Sequence, residues 1–114
     1  MEAKAIAKYV HQSPRKLRKT LKIVRGRNVG DALNILHFLP QKSALIIEKT
    51  IRSATANLMQ ELDNANMEPE LLDIKEAIVD GGPVMRRFRA ASMGRASRLR
   101  RRTSHLTIVV TDQN

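Results

Sequence analysis

The chain has 114 residues, enough for one domain with a modest core, and a formal charge of +10 that calls for an acidic partner, nucleic acid before an anionic membrane. It has no cysteine, which excludes disulfides and thiolate metal sites and suits a reducing cytosol. One Tyr and two Phe are too few for the stacking platforms of RNA-recognition-motif or OB-fold proteins, no apolar run approaches the roughly 20 residues of a membrane span, and Met1-Glu2-Ala3-Lys4 opens no signal-peptide core.

The charge is unevenly spread. Residues 1–27 carry nine Lys/Arg against Glu2, residues 28–80 four against nine Asp/Glu, and residues 81–114 eight Arg against Asp112. Two basic ends around an acidic middle predict two contact surfaces on a scaffold.

In chain order, Glu2–His11 reads as a strand. Ala3, Ala5, Ala7 and Tyr9 fall on one face and Lys4 and Lys8 on the other, although alanines also suit a helix. Ser13-Pro14 then opens a helix as N-cap and first helical residue, and Gly26 ends it. Leu17, Leu21 and Val24 form its apolar stripe. Its other face carries Arg15, Lys16, Arg18, Lys19, Lys22 and Arg25 with no acid among them. Solvated helix faces usually mix signs for i,i+4 pairs, so this one reads as phosphate-facing.

Asn28 can cap a short second helix, with Asp31 in its first turn and Ala32, Leu33, Ile35, Leu36 and Leu39 as core positions. Pro40 closes it. Gln41–Asn64 follows as a long helix of about 35 Å, the spine of the domain, with Ala44, Ile47, Ile51, Ala54, Leu58 and Leu62 at steps of three and four and Leu45 and Ile46 widening the stripe. Met59 and Met67 read as core or rim filler. The stretch from Asn64 to Pro69 is the turn out. Two strands remain, Leu71–Asp80 with Leu72, Ile74 and Ile78 alternating, and Thr103–Thr111 with Leu106, Ile108 and Val110 alternating; they should pair antiparallel, with the first strand beside one of them. The expected fold is α+β, a small three-stranded antiparallel sheet packed with three helices, in one domain spanning residues 1–114.

Between the last two strands, residues 81–102 read as a protruding β-hairpin arm with its midpoint near Ala91-Ser92, reaching roughly 30–35 Å. Gly81-Gly82-Pro83 marks its departure, Pro83 suiting an edge or bulge, and Gly94 is available for a turn. From Gly81 to Thr111 there is no acid and no Lys, but eight Arg: Arg86, Arg87, Arg89, Arg95, Arg98, Arg100, Arg101 and Arg102. Arg offers a planar fork of donors and stacks on bases, so an arm of Arg alone implies close contact with nucleic acid. A disordered basic tail is the plainer alternative, weakened by the flanking strands and by Val84, Phe88 and Leu99. The apex Ala90–Met93 is uncharged.

No catalytic constellation emerges. His11, His37 and His105 are scattered, with no ligand-like spacing. Ser104 and His105 are adjacent on a strand and point to opposite faces, which leaves His105 as a strand residue near RNA or solvent. Gly81-Gly82-Pro83 lacks the pattern of a phosphate-binding loop. Glu68, Glu70, Asp73, Glu76 and Asp80 read as a solvated edge. The chain is not expected to be an enzyme or to hold a metal or cofactor.

The residues Asp80 to Arg87, then Gly94-Arg95-Ala96, then Arg102 to Val110, together with Ser13-Pro14-Arg15-Lys16 through Arg25-Gly26 and Ser53-Ala54-Thr55-Ala56-Asn57, resemble bacterial large-subunit ribosomal protein twenty-two over nearly the whole chain. The resemblance implies a cytoplasmic ribosomal protein that helps fold large-subunit rRNA, its globular part near the exit of the nascent-peptide tunnel and its hairpin running inward through rRNA. The rRNA-binding set would be Arg15, Lys16, Arg18, Lys19, Lys22 and Arg25 on the first helix and the eight arm arginines. Phe88, Arg89, Ala90, Ala91, Ser92, Met93 and Gly94 would line the tunnel, meeting large-subunit ribosomal protein four at a constriction and the nascent polypeptide; no homo-oligomer is implied. Macrolide response in this family would map to Met85, Arg86 and Arg87 and on to the tip. Two departures stand out: the tip lacks the usual Pro, and Lys19 and Lys22 stand where an apolar and an acidic residue are common. A DNA-bending architectural protein is the second reading, disfavoured by an apex without a wedge residue, and a nucleic-acid enzyme the third.

Overall fold

The long central strand is where the fold is assembled. In a computed structural model that describes residues 2–61, 68–90 and 96–112, with only the backbone described at 69, 85–90 and 96–101, the elements run β1 (Glu2–Val10), α1 (Pro14–Val24), α2 (Val29–Phe38), α3 (Lys42–Glu61), a 3-10 turn (Pro69–Leu71), β2 (Asp73–Ala90) and β3 (Ala96–Thr111). The sheet is antiparallel in the order β1-β3-β2. This is the expected α+β fold, with the first strand beside the last. Ala3, Ala5, Ile74, Ala77, Val79, Leu106, Ile108 and Val110 on the sheet pack with Leu17, Leu21, Val24, Leu36, Ile47, Ile51 and Leu58 from the helices as one core.

α1 forms as its sequence directs. Ser13 is extended and its hydroxyl accepts from the Lys16 N–H, Pro14 is the first helical residue, and Leu17, Leu21 and Val24 are fully buried. Gly26, at φ +81°, leaves the helix in the left-handed conformation that favours glycine. Asn28 caps α2, its side-chain oxygen accepting from the Asp31 N–H at 2.8 Å. Ala32 and Leu36 are buried, while Leu33, Ile35 and Leu39 are half-buried. The segment entering α2 also lies along the start of β2: the Val29 N–H donates to Leu72 O and the Ile74 N–H to Arg27 O.

α3 has 20 described residues, about 30 Å, and its side chain at Asn57 donates to Lys4 O at 3.1 Å, fastening the helix across β1. Ala44, Ile47, Ile51, Ala54 and Leu58 are buried as expected. Leu62, Met67 and the expected turn of residues 64–67 lie outside the described residues. Leu45 corrects the expectation: it is 57% exposed. It shares a helix row with Lys49, Arg52 and Ala56, all exposed, whereas the buried side is completed by Ser43, Glu48, Thr50 and Thr55. Thr20 and Ser43 hydroxyls join α1 to α3 at 2.5 Å inside that interface.

Two bulges correct the strand parities. Ile74 pairs with Val110 but Glu76 with Val109, so Lys75 is an extra residue in β2. One inserted residue moves everything after it to the other face. Ala77 and Val79 therefore enter the core and Ile78, expected inside, is 43% exposed. Lys75 reaches Glu2 beyond β3, and the carboxylate holds its ammonium above the ordinary lysine range. In β1 the register slips between Ala7 and Val10, so Lys8 and Tyr9 bulge; Val10 is buried and Tyr9, expected with the alanines, is 59% exposed.

A third register shift lies between Gly81 and Val84, where the arm departs. Beyond it the two strands stay in register from Val84↔Arg102 to Ala90↔Ala96. β2 and β3 thus run past the ends expected for them. The molecule measures 61 × 25 × 19 Å with a radius of gyration of 17.0 Å, against about 13 Å for a compact chain of this length.

Candidate nucleic-acid interface

The basic face of α1 divides into two groups. Arg18 donates from Nη2 to Val79 O at 2.8 Å and Arg25 from Nη2 to Ala77 O at 2.7 Å. β2 is an edge strand, and its outward carbonyls need partners. These two guanidiniums supply them and hold α1 against the strand, each with further N–H donors beyond the one used there. Arg15, Lys16, Lys19 and Lys22 are exposed and make no side-chain hydrogen bond or ion pair among the described residues.

At its N-terminal end this face opens into a cleft of about 1130 Å³. Its walls bring together three parts of the chain: Arg15, Lys16, Arg18 and Lys19 from α1, Lys42 at the start of α3, and Arg102 at the foot of the arm. No carboxylate lines it. Both α1 and α3 begin at this cleft, so the positive ends of two helix dipoles add to six cationic side chains. Gln12 also lines it, and its Oε1 is the one buried side-chain polar atom among the described residues without a hydrogen-bond partner. An acid-free cleft of this kind concentrates anions, and its breadth suits a backbone with several phosphates.

Arg102 continues the surface onto the arm. The backbone register sets Arg86 opposite Arg100, Met85 opposite Arg101, Arg87 opposite Leu99, Phe88 opposite Arg98, Arg89 opposite Ser97 and Ala90 opposite Ala96. Ala91, Ser92, Met93, Gly94 and Arg95 lie outside the described residues.

At the root of the arm, Thr103 is buried and its hydroxyl donates to Pro83 O at 2.6 Å, and Ser104 donates to Gln12 O at 2.7 Å. His105 accepts at Nδ1 from the Tyr9 N–H at 3.1 Å, which assigns its ring proton to Nε2 when neutral. It is a partner of the β1 bulge more than a solvent residue.

Lys42, His11 and Gln12 also line the cleft, although nothing in the sequence marks them for it. No local pattern could single them out, because the cleft exists only where α1, α3 and β3 meet. Among the described residues no group of three or more His, Asp or Glu could hold a metal, and no helix is long and apolar enough to cross a membrane.

The family model for ribosomal protein L22p/L17e matches residues 5–111. The chain is 49% identical over 113 residues to large ribosomal subunit protein uL22 of Halothermothrix orenii, covering 99% of the chain and 97% of that protein. It is 45% identical over 112 residues to the uL22 of Desulfitobacterium hafniense, covering 98% and 96%, and 42% identical over 113 residues to that of Pelotomaculum thermopropionicum, covering 99% and 97%. A basic cleft leading onto a long arginine arm, in a chain matched from end to end, has one conclusion: the chain belongs to the ribosomal protein L22p/L17e family.

Proposed function

We propose that this chain is a structural constituent of the large ribosomal subunit that binds and organises its rRNA, working in the bacterial cytoplasm and performing no chemical step. The observation that carries the reading is the acid-free cleft, which joins α1, the start of α3 and the foot of the arm into one phosphate-binding surface. Phosphate neutralisation supplies the affinity, and the placement of the cleft at the foot of the arm supplies the shape selection by which folded RNA is read. The chain acts as one domain, residues 1–114, whose arm, residues 81–102, grips RNA along its shaft with Arg86, Arg87, Arg89, Arg95, Arg98, Arg100, Arg101 and Arg102. The tip, Phe88 to Gly94, lines the nascent-peptide tunnel beside large-subunit ribosomal protein four. Support for that placement is the family membership and the sequence of the arm, with eight Arg below an uncharged apex.

Filter binding of transcribed large-subunit rRNA across salt concentrations tests the RNA part. Neutralising about six phosphates predicts a loss of roughly 1,000-fold in affinity between about 50 and 200 mM salt. Lys42→Gln and Arg102→Gln should each flatten the log–log slope by about 0.7 to 0.9. Salt-independent binding, or slopes untouched by both substitutions, would overturn it.

A further inference from the structure

Tyr9 is the single tyrosine of a chain without tryptophan, and nothing in the RNA-binding surface above uses it. It is the only non-glycine residue with positive φ among those described, at 56°. A bulky side chain is rarely held in that region unless its surroundings fix it there, and such positions cluster at binding sites. Here they do fix it. The bulge sets Lys8 and Tyr9 against His105, the Tyr9 N–H is captured by His105 Nδ1 at 3.1 Å, and the His105 ring meets the Tyr9 ring edge-to-face at 5.0 Å and 89°.

The result is an aromatic ring seated against His105 and left 59% exposed. His105 alternates with the buried Ser104 and Leu106, so the pair lies on the sheet face away from the helices, at the root of the arm. One side of the His105 ring faces β2, where its Cε1 lies beside Gly82. On the β1 side the neighbouring Lys8 is exposed and no acid lies between Glu2 and Asp31. Asp80 is opposite His105 on the β2 side, so the approach open to an anionic chain is over β1. A preorganised ring beside an exposed lysine is the element that stacks an unstacked nucleobase.

We propose that Tyr9, braced by His105, is a stacking platform for one splayed base of large-subunit rRNA at the root of the arm. This rests on the RNA-binding reading and goes beyond phosphate contact. Three aromatics are too few for a sheet that reads several bases, but one extruded base needs one ring.

The chain's own fluorescence tests this, because Tyr9 is its only tyrosine and there is no tryptophan. The full chain is titrated with an oligoadenylate of about twelve nucleotides and with the same strand in an RNA duplex, while binding is followed separately by anisotropy of labelled RNA. Stacking predicts that the single strand quenches the tyrosine emission by about half or more at saturation and the duplex by little. Tyr9→Phe should bind the single strand within about twofold of the parent, and Tyr9→Gly about tenfold more weakly. Glycine suits φ 56° and keeps the N–H to His105, so that variant removes the ring and spares the bulge. Saturated RNA binding without quenching, or Tyr9→Gly binding as well as the parent, overturns the platform and leaves RNA binding standing. Absence of any RNA binding overturns both.

Discussion

Replacing Gly82 by Ala tests how the arm is aimed. A Cβ on Gly82 would lie 2.5 Å from Thr103 Oγ1, 3.3 Å from the Thr103 carbonyl carbon and 3.4 Å from His105 Cε1. Thr103 is 3% exposed, and its hydroxyl is held by Pro83 O at 2.6 Å. It cannot rotate away without surrendering that bond, worth about 1 kcal/mol, and overpacking adds about 1–2 kcal/mol more. The total of about 2–3 kcal/mol should fall on the arm root, by local opening or by loss of the whole domain. Amide exchange covers both routes: protection of the Arg102–His105 amides should drop by roughly 30-fold or more, at about 1.4 kcal/mol per tenfold. In a Thr103→Ala background the nearest oxygen is gone, and the same Gly82→Ala change should cost under about 1 kcal/mol. Unchanged protection in the single variant, or equal costs in both backgrounds, would refute the packing argument.

Other consequences are more local. Arg25→Met leaves Ala77 O on an edge strand without its guanidinium donor, which should cost about 1–2 kcal/mol in urea unfolding, whereas Lys19→Gln should leave stability unchanged and weaken rRNA binding. Equal effects of the two on stability would contradict the division of the α1 face. Thr20→Val strands the buried Ser43 hydroxyl and should cost about 1–2 kcal/mol; adding Ser43→Ala should recover part of that, and a purely additive double variant would show that the 2.5 Å bond carries no coupling.

How much was legible in the sequence depends on how far away each cause lies. α1 was readable because its cap, stripe and terminator are all within its own residues, and the arm because its charge run is continuous. Leu106, Ile108 and Val110 were readable because β3 is regular between its partners. Ile78 was misplaced because Lys75 looks like any other strand lysine, and its bulge is a property of the pairing with β3. Tyr9 was misplaced because its conformation depends on His105, 96 residues away. Arg18 and Arg15 are alike in sequence, and only the carbonyls of β2 assign one partly to the fold and leave the other exposed. Lys42 joins the cleft by tertiary placement alone. Binding patches can be read as charge, but which cations are free can be read only from packing.

On the function proposed above, the cleft and arm hold this protein in the large subunit through RNA. Sedimentation of a tagged chain from cell lysate tests it most directly. The tagged chain should co-migrate with large subunits and be released by ribonuclease, and the paired variant Lys42→Gln/Arg102→Gln should show a reduced bound fraction. A chain that stays at the top of the gradient, or that travels with nucleoid DNA, would contradict it.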